Sequence, residues 1–310
     1  MKPVPGAAPE TSSAPSLREH AVRAGTVRLS VRERDGGAPP VLCLHGLASN
    51  ARWWDLVGAR LAPRHRVLAV DQRGHGRSDK PDHGYDLPTA VADLRALLAA
   101  LGLPPVVAVG HSWGASVALG LAADDPAAVL GVVCVDGGFG DLRAVFGGSW
   151  AQAEAAMTPP DFPGAGRAEL PRLLRGSALA EGSDAATAAE ILAGNLEEGA
   201  DGRLRARLTR PRHMAIARAL YELDGPALLR RVSQPVLLLP AGSPAGAAAR
   251  GREAGLRTAL DALGGRAAVE WVDGGHDLPV QRPAAVAEAV RRFTARWLGG
   301  PADREGSGAR

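Results

Sequence analysis

Cysteines, aromatic residues, clustered charge and long apolar runs are all scarce in this 310-residue chain, and each scarcity excludes something. Two cysteines cannot staple a small secreted scaffold. Both Cys43 and Cys134 fall inside apolar runs (VLCLHG and VLGVVCVDGG), where a thiol behaves as a small apolar side chain, so no disulfide is expected. No stretch supplies the roughly 18 charge-poor apolar residues that a membrane span needs. The opening MKPVPGAAPETSSAPS lacks the continuous apolar segment of a secretory leader, so a cytoplasmic protein without a membrane partner is expected. The 36 basic and 33 acidic residues are interspersed and leave a net charge of only +3, with no basic stripe for nucleic acid. The histidines show no i, i+4 spacing with acidic partners, and neither a metal site nor a cofactor is called for. The expected partner is a small-molecule substrate; nothing in the sequence bears on oligomeric state.

What is abundant is apolar residues, 46% of the chain, enough for a sizeable core. Residues 1–17 are rich in Pro, Ala and Ser without periodicity, and 299–310 (GGPADREGSGAR) are polar and Gly-rich; both are expected to be mobile tails. HAVRAGTVRLSVRERDGG reads as strand, Gly turn, strand: an antiparallel hairpin. Four short apolar runs follow, at 41–44, 67–70, 106–109 and 129–135, each ending in a Gly- or Asp-containing turn. Near-continuous apolar character implies burial on both faces, as in a parallel sheet covered by helices. Segments 87–101 and 115–123 read as the intervening helices. The rhythm stops at Gly137-Gly138 and resumes at Pro235, leaving 96 residues of helical patterning without a convincing strand. The expected organisation is a core of 18–138 and 227–298 interrupted by a helical cap, 139–226. After the cap come a strand from Pro235, a helix at 250–263, a strand at 267–272 and a helix at 284–298.

In Gly110-His111-Ser112-Trp113-Gly114 an apolar strand runs directly into a helix, the context that a G-x-S-x-G turn requires. Such a turn holds the serine in a strained conformation and needs glycine on either side for want of space. Ser112 is then the candidate nucleophile at a helix N-terminus. A hydroxyl at neutral pH needs a base, and the chain order Ser, acid, His places it late; His276, in Val272-Asp273-Gly274-Gly275-His276-Asp277-Leu278, fits. His45 and Gly46 follow the 41–44 run, where the Leu47 N–H, paired with that of Trp113, would form an oxyanion hole. His45 reads as a residue that fixes this loop, with His45, Gly46 and Trp113 also candidate pocket residues. In Asp71-Gln72-Arg73-Gly74-His75-Gly76-Arg77-Ser78, His75 reads as loop-ordering, and Asp71 and Arg73 are expected to pair locally.

Together HGL, DQRGHGRSD, GHSWG and GGHDLP resemble the α/β-hydrolase superfamily, and the match covers most of the core. The resemblance implies an α/β fold with a mostly parallel eight-stranded sheet and an inserted helical cap. Spacing and insert are similar to cap-bearing esterases, haloperoxidase-like enzymes, haloalkane dehalogenases and epoxide hydrolases; a serine at 112 rather than aspartate argues against the last two. In many relatives the acid follows the strand after the cap, but here that loop reads Leu239-Pro240-Ala241-Gly242-Ser243-Pro244-Ala245-Gly246, and the next carboxylate, Glu253, lies inside a helix. Asp136, at the end of the 129–135 strand, is the substitute, as in some superfamily members; Asp273, Asp277 or a dyad without an acid are the alternatives. Cap residues Phe139, Phe146, Trp150, Met157, Met214 and Tyr221 are candidate pocket walls against the competing reading that they pack within the cap. The expected activity is hydrolysis of a mainly apolar ester, lactone or thioester through an acyl-enzyme. The alternatives are C–C bond hydrolysis, perhydrolysis or a lyase step on the same scaffold, and a non-catalytic small-molecule receptor.

Overall fold

The computed structural model describes residues 16–159, 164–243 and 247–299, with the side chains of 247–251 outside that description. The chain opens with the antiparallel pair β1 (Leu17–Ala24) and β2 (Val27–Arg34), so the expected N-terminal tail is cut short at Leu17. The remainder of both expected tails, apart from Ser16 and Gly299, lies outside the described residues. Then come β3 (Val41–Leu44), α1 (Asp55–Leu61), β4 (Val67–Val70), α2 (Leu87–Ala100), β5 (Val106–His111), α3 (Trp113–Asp124) and β6 (Val129–Val135). The apolar period that marks α2 in the sequence is backed by an N-cap: the Asp86 carboxylate accepts from the Thr89 N–H, a cap worth about 1 kcal/mol.

Between β6 and the next sheet strand lie α4 (Leu142–Val145), α5 (Trp150–Met157), α6 (Leu170–Leu174), α7 (Ala185–Ala193), β7 (Leu196–Glu198), β8 (Leu204–Ala206), α8 (Arg210–Glu222) and α9 (Gly225–Arg231). The antiparallel β7–β8 ribbon corrects the expectation of a strandless insert. Each of its strands is three residues long with only the first residue buried, too short to show a period of two. The chain ends with β9 (Val236–Leu239), α10 (Ala247–Leu263), β10 (Ala267–Val269), α11 (Leu278–Gln281) and α12 (Pro283–Leu298). β10 is shorter than the 267–272 run because pairing beyond Val269 survives only as an isolated bridge between Val272 and Ala241.

Eight strands form one sheet in the order β1-β2-β4-β3-β5-β6-β9-β10, antiparallel at β1–β2 and β2–β4 and parallel from β4 onward. Alternate residues of the central strands feed two separate cores. Leu42, Leu44, Val106 and Ala108 face the layer that contains residues of α2 and α3; Val41, Cys43, Val107 and Val109 face the layer that contains residues of α1 and α12. Burial on both sides explains why these strands read as unbroken apolar runs. Cys43 and Cys134 are buried and free, and they sit on opposite faces of the sheet. The parallel register brings the C-terminal ends of β3, β5, β6 and β9 side by side, with Leu44 opposite Gly110, His111 opposite Val135, and Val135 opposite Leu239. Among the described residues, no helix is long and apolar enough to cross a membrane.

Candidate active site

Three non-glycine residues among those described have positive φ, and all three cluster at that edge: Ala48 (φ 57) beyond β3, Ser112 (φ 53) after β5 and Asp136 (φ 42) after β6. Strain of order 1–3 kcal/mol per residue persists only where the surroundings enforce it, and it marks functional turns. The surroundings here are glycines without room for a side chain. A Cβ on Gly110 would lie 2.2 Å from the Gly114 carbonyl oxygen, one on Gly114 2.2 Å from that of Leu44, and one on Gly137 2.5 Å from that of Ser112. The turn around Ser112 is therefore clamped by β3 on one side and by the β6 exit on the other. Ser112 itself remains partly exposed ahead of α3, at a helix N-terminus that favours developing negative charge.

The structure brings His276 and Asp136 together, 140 residues apart in sequence: Nδ1 of His276 lies 2.7 Å from Oδ2 of Asp136. The carboxylate is almost fully buried, whereas the imidazole is half-exposed. Oδ1 of Asp136 also accepts from the Ala241 N–H at 2.9 Å, so the loop that lacks a carboxylate holds one supplied by the neighbouring strand. Burial alone would raise the Asp136 pKa; the hydrogen bonds from His276 and Ala241 and the charge of Arg252 outweigh it and hold the carboxyl below its ordinary range. For His276 burial acts against protonation, but the hydrogen bond and charge of Asp136 prevail, and its pKa lies above the usual imidazole value. Asp277, by contrast, is raised chiefly by burial, an environment unsuited to a permanently charged orienting acid.

Two residues of this site escaped the sequence reading. Arg252, on α10, places Nε 3.1 Å from Oδ1 and Nη2 3.2 Å from Oδ2 of Asp136. His111, next to Ser112, is buried with its ring 4.8 Å from that of His276, and its Nε2 donates to the His276 carbonyl at 2.8 Å. Burial, with the nearby His276, lowers the His111 pKa to about 3, so it stays neutral and ties the loop that carries His276 to the Ser112 turn. Its place inside the G-x-S-x-G motif was the available signal; for Arg252, 116 residues from Asp136, there was none.

Around the turn after β3 the expectations need correction. His45 is fully buried: Nδ1 donates to the Gly46 carbonyl at 2.8 Å and Nε2 accepts from the Gln72 N–H at 3.1 Å, leaving neither nitrogen for a substrate. Burial lowers its pKa to about 4. It fixes the loop. Gly46 does approach the site, since a Cβ there would lie 3.1 Å from Ser112 Cβ. Leu47 follows in the turn, and Trp113 opens α3, where its N–H lies ahead of the helix's own hydrogen-bond ladder. The Trp113 indole, 2% exposed, is packed in the core and forms no pocket wall. Asp71 and Arg73 do not pair. Asp71 accepts from the Ala51 and Arg77 amides, while Arg73 makes a buried bidentate ion pair with Asp93 of α2, at 2.6 and 2.7 Å. A loop folded over the Asp71 carboxylate turns the two side chains to different partners. His75 is buried with Nδ1 donating to the Arg73 carbonyl, and orders that loop.

Several of the candidate pocket residues between β6 and β9 pack within that segment. Trp150 and Tyr221 meet edge to face at 5.3 Å with the Arg218 guanidinium over the Trp150 ring, joining α5 to α8. The Met214 sulfur accepts from the Thr158 hydroxyl, and the Met157 carbonyl accepts from His213. Phe139, buried in the core, lines a cleft of about 390 Å³ with Leu229 and Arg252, of which Ser112 is not a lining residue. Trp150 and Tyr221 thus pack within this segment, whereas Phe139 walls a cleft that does not include Ser112. A cleft of about 420 Å³ instead adjoins the turn after β3 at Ala48 and Ser49, lined further by His75, His213 and the arginines of β8 and its flanks. No group of three or more His, Cys, Asp or Glu side chains among the described residues is arranged to hold a metal.

Comparison with known proteins bears on the family and the fold. The chain is 40% identical over 112 residues to a 2-(acetamidomethylene)succinate hydrolase of Mesorhizobium japonicum, covering 36% of this chain and 40% of that one. It is 43% identical over 104 residues to a non-heme chloroperoxidase of Streptomyces lividans, covering 33% and 37%. The matched segments therefore span less than half of these relatives. Among solved structures, an E-2-(acetamidomethylene)succinate hydrolase superposes with a TM-score of 0.75 at 26% identity over 91% of this chain and 100% of that one. A thioesterase domain from the curacin biosynthetic pathway follows at 0.70 and 22%, covering 89% and 99%, a likeness of fold alone. Residues 41–289 match the Alpha/beta hydrolase family along most of the chain, and the protein belongs to that family.

Proposed function

We propose that this protein is a serine hydrolase that cleaves a small-molecule acyl compound through an acyl-enzyme on Ser112. The observation that carries the reading is the His276–Asp136 hydrogen bond of 2.7 Å at the strand edge that also presents the strained Ser112 turn. Nδ1 of His276 is committed to Asp136, which fixes the tautomer and leaves Nε2 to take the proton as Ser112 Oγ attacks a carbonyl carbon. The Leu47 and Trp113 amides receive the charge that develops on the carbonyl oxygen. The leaving group departs with the proton from His276, and a water activated by the same ring releases the acid. Esters, lactones and thioesters are the substrate classes proposed first.

A second observation favours a carboxylate on the substrate. The cleft beside Ala48 and Ser49 is lined by Arg203, Arg205, Arg207 and Arg210, and Arg210 makes no ion pair among the described residues. The Mesorhizobium japonicum relative is named for a substituted succinate, a substrate of that kind.

A fluorophosphonate probe with p-nitrophenyl acetate and p-nitrophenyl hemisuccinate tests both statements. Labelling of Ser112, abolished in S112A, with turnover of either ester is expected; neither labelling nor turnover overturns the hydrolase reading. A higher kcat/KM for the hemisuccinate supports the carboxylate, and equal or lower values remove it.

A further inference from the structure

Where the loop after β9 could have carried the acid, this chain has Pro240, Ala241, Gly242 and Ser243, and the helix that follows carries an arginine. α10 comes very close to the segment leaving Asp136. A Cβ on Gly255 would lie 2.4 Å from the Phe139 carbonyl oxygen, so the helix rests against backbone there. Three residues earlier, Arg252 aims its guanidinium back at Asp136, with Nε on one carboxylate oxygen and Nη2 on the other, the parallel fork that arginine forms and lysine cannot. The Arg252 side chain is 30% exposed and Asp136 only 3%.

We propose that Arg252 is a positioning residue that holds the Asp136 carboxylate square to His276 and sets the pH at which His276 becomes a free base. The proposal rests on the reading of Ser112, His276 and Asp136 as the hydrolytic site. A buried carboxylate facing only an imidazole and a backbone amide would draw a proton onto the imidazole in the resting site. The arginine supplies a full positive charge on the carboxylate's other side, so Asp136 is balanced while His276 is neutral. The groups that face His276 are Asp136 at the end of β6, Asp277 in its own loop, neutral His111 on β5 and Arg252 on α10; of these Arg252 alone opposes protonation by a fixed charge. The two aspartates keep the ring's affinity for protons high, and Arg252 limits it.

The test compares wild type with R252Q and R252K in two measurements: the His276 imidazole titration by NMR, assigned with H276Q, and the pH dependence of fluorophosphonate labelling. In R252Q the His276 midpoint is expected to rise by about 0.5–1 pH unit, with the acid limb of labelling moving up in step and the plateau rate falling severalfold. R252K, which keeps the charge but loses the fork, is expected to keep the wild-type midpoint and still label more slowly. An unchanged His276 midpoint in R252Q overturns the proposal whatever happens to the rate, because a merely structural role lowers the rate without moving the titration. If R252Q does not fold, R252K decides: a displaced midpoint or an undiminished labelling rate overturns it. Failure of the hydrolase reading shows separately, as absence of labelling in wild type, while the NMR titration still reports on Arg252.

Discussion

At the residue scale, Asp136 has donors on both of its oxygens: His276 and Arg252 share Oδ2, Ala241 and Arg252 share Oδ1. An amide at this position presents N–H where an acceptor is required and inverts the His276 tautomer. D136N is expected to fold, because the backbone and volume are kept, yet to lose kcat by about 10³–10⁴-fold. Steady-state kinetics on the faster of the two p-nitrophenyl esters checks this, and a loss under tenfold would return Asp277 or a dyad to consideration. The same contacts set a pH dependence. His276 acts as a base only when neutral, and its folded pKa is raised by Asp136, so kcat/KM should climb with pH and level off above a midpoint higher than the ordinary 6.5. A midpoint at or below 6.5 in the kcat/KM profile would contradict the pairing.

At the scale of elements, the clamp on Ser112 is built from backbone. Gly137 illustrates it: a Cβ would meet Ser112 Cα at 2.6 Å and Ser112 O at 2.5 Å, and neither can rotate away. G137A is expected to cost about 2 kcal/mol or more, a fall of about 3 °C or more in Tm for a domain of this size, and to abolish labelling of Ser112 even in the folded fraction. Calorimetry and probe labelling on the same sample separate the two effects. The sheet strands and their intervening helices were legible in sequence because VLCL and VVAV bury both faces and LPTAVADLRALLAAL keeps a helical period. The ribbon β7–β8 and the four-residue helix α11 were not, since three or four residues carry no period. Ser112 and Asp136 could be singled out because each stands at the exit of an apolar strand, and His276 because it lies in the loop after the last one. Arg252 and the Arg73–Asp93 pair depend on tertiary contacts that leave no local pattern, and His111, although it stands inside the G-x-S-x-G motif, meets His276 through such a contact as well.

At the scale of the whole molecule, the segment between β6 and β9 touches the catalytic edge at two points. Near the base, the Gln281 side chain accepts from the Gly275 N–H and donates to the Ala178 carbonyl, while Arg282 pairs with Glu181. At the oxyanion turn, Asn195 donates from Nδ2 to the carbonyl of the strained Ala48 at 2.8 Å and accepts at Oδ1 from Asn50, at 2.7 Å. Asn50 is buried and donates as well to the Ile191 carbonyl, so α7, β7 and the turn after β3 form one hydrogen-bonded corner. This corner holds the Ala48–Ser49 peptide, in the same turn as the Leu47 amide that the proposed mechanism uses as an oxyanion donor. N195A removes the clasp and leaves an Asn50 proton without its partner, a loss of about 1 kcal/mol that such a domain tolerates. The catalytic effect should be larger. An oxyanion donor displaced by a fraction of an ångström acts only in the transition state, so kcat and kcat/KM should fall together by about ten- to a hundredfold with KM nearly constant. Full kinetics of N195A beside a thermal melt decides the matter. A fall in Tm with unchanged kcat would make the corner a structural joint between cap and core, and a rise in KM alone would mean that it shapes the substrate cleft rather than the oxyanion hole.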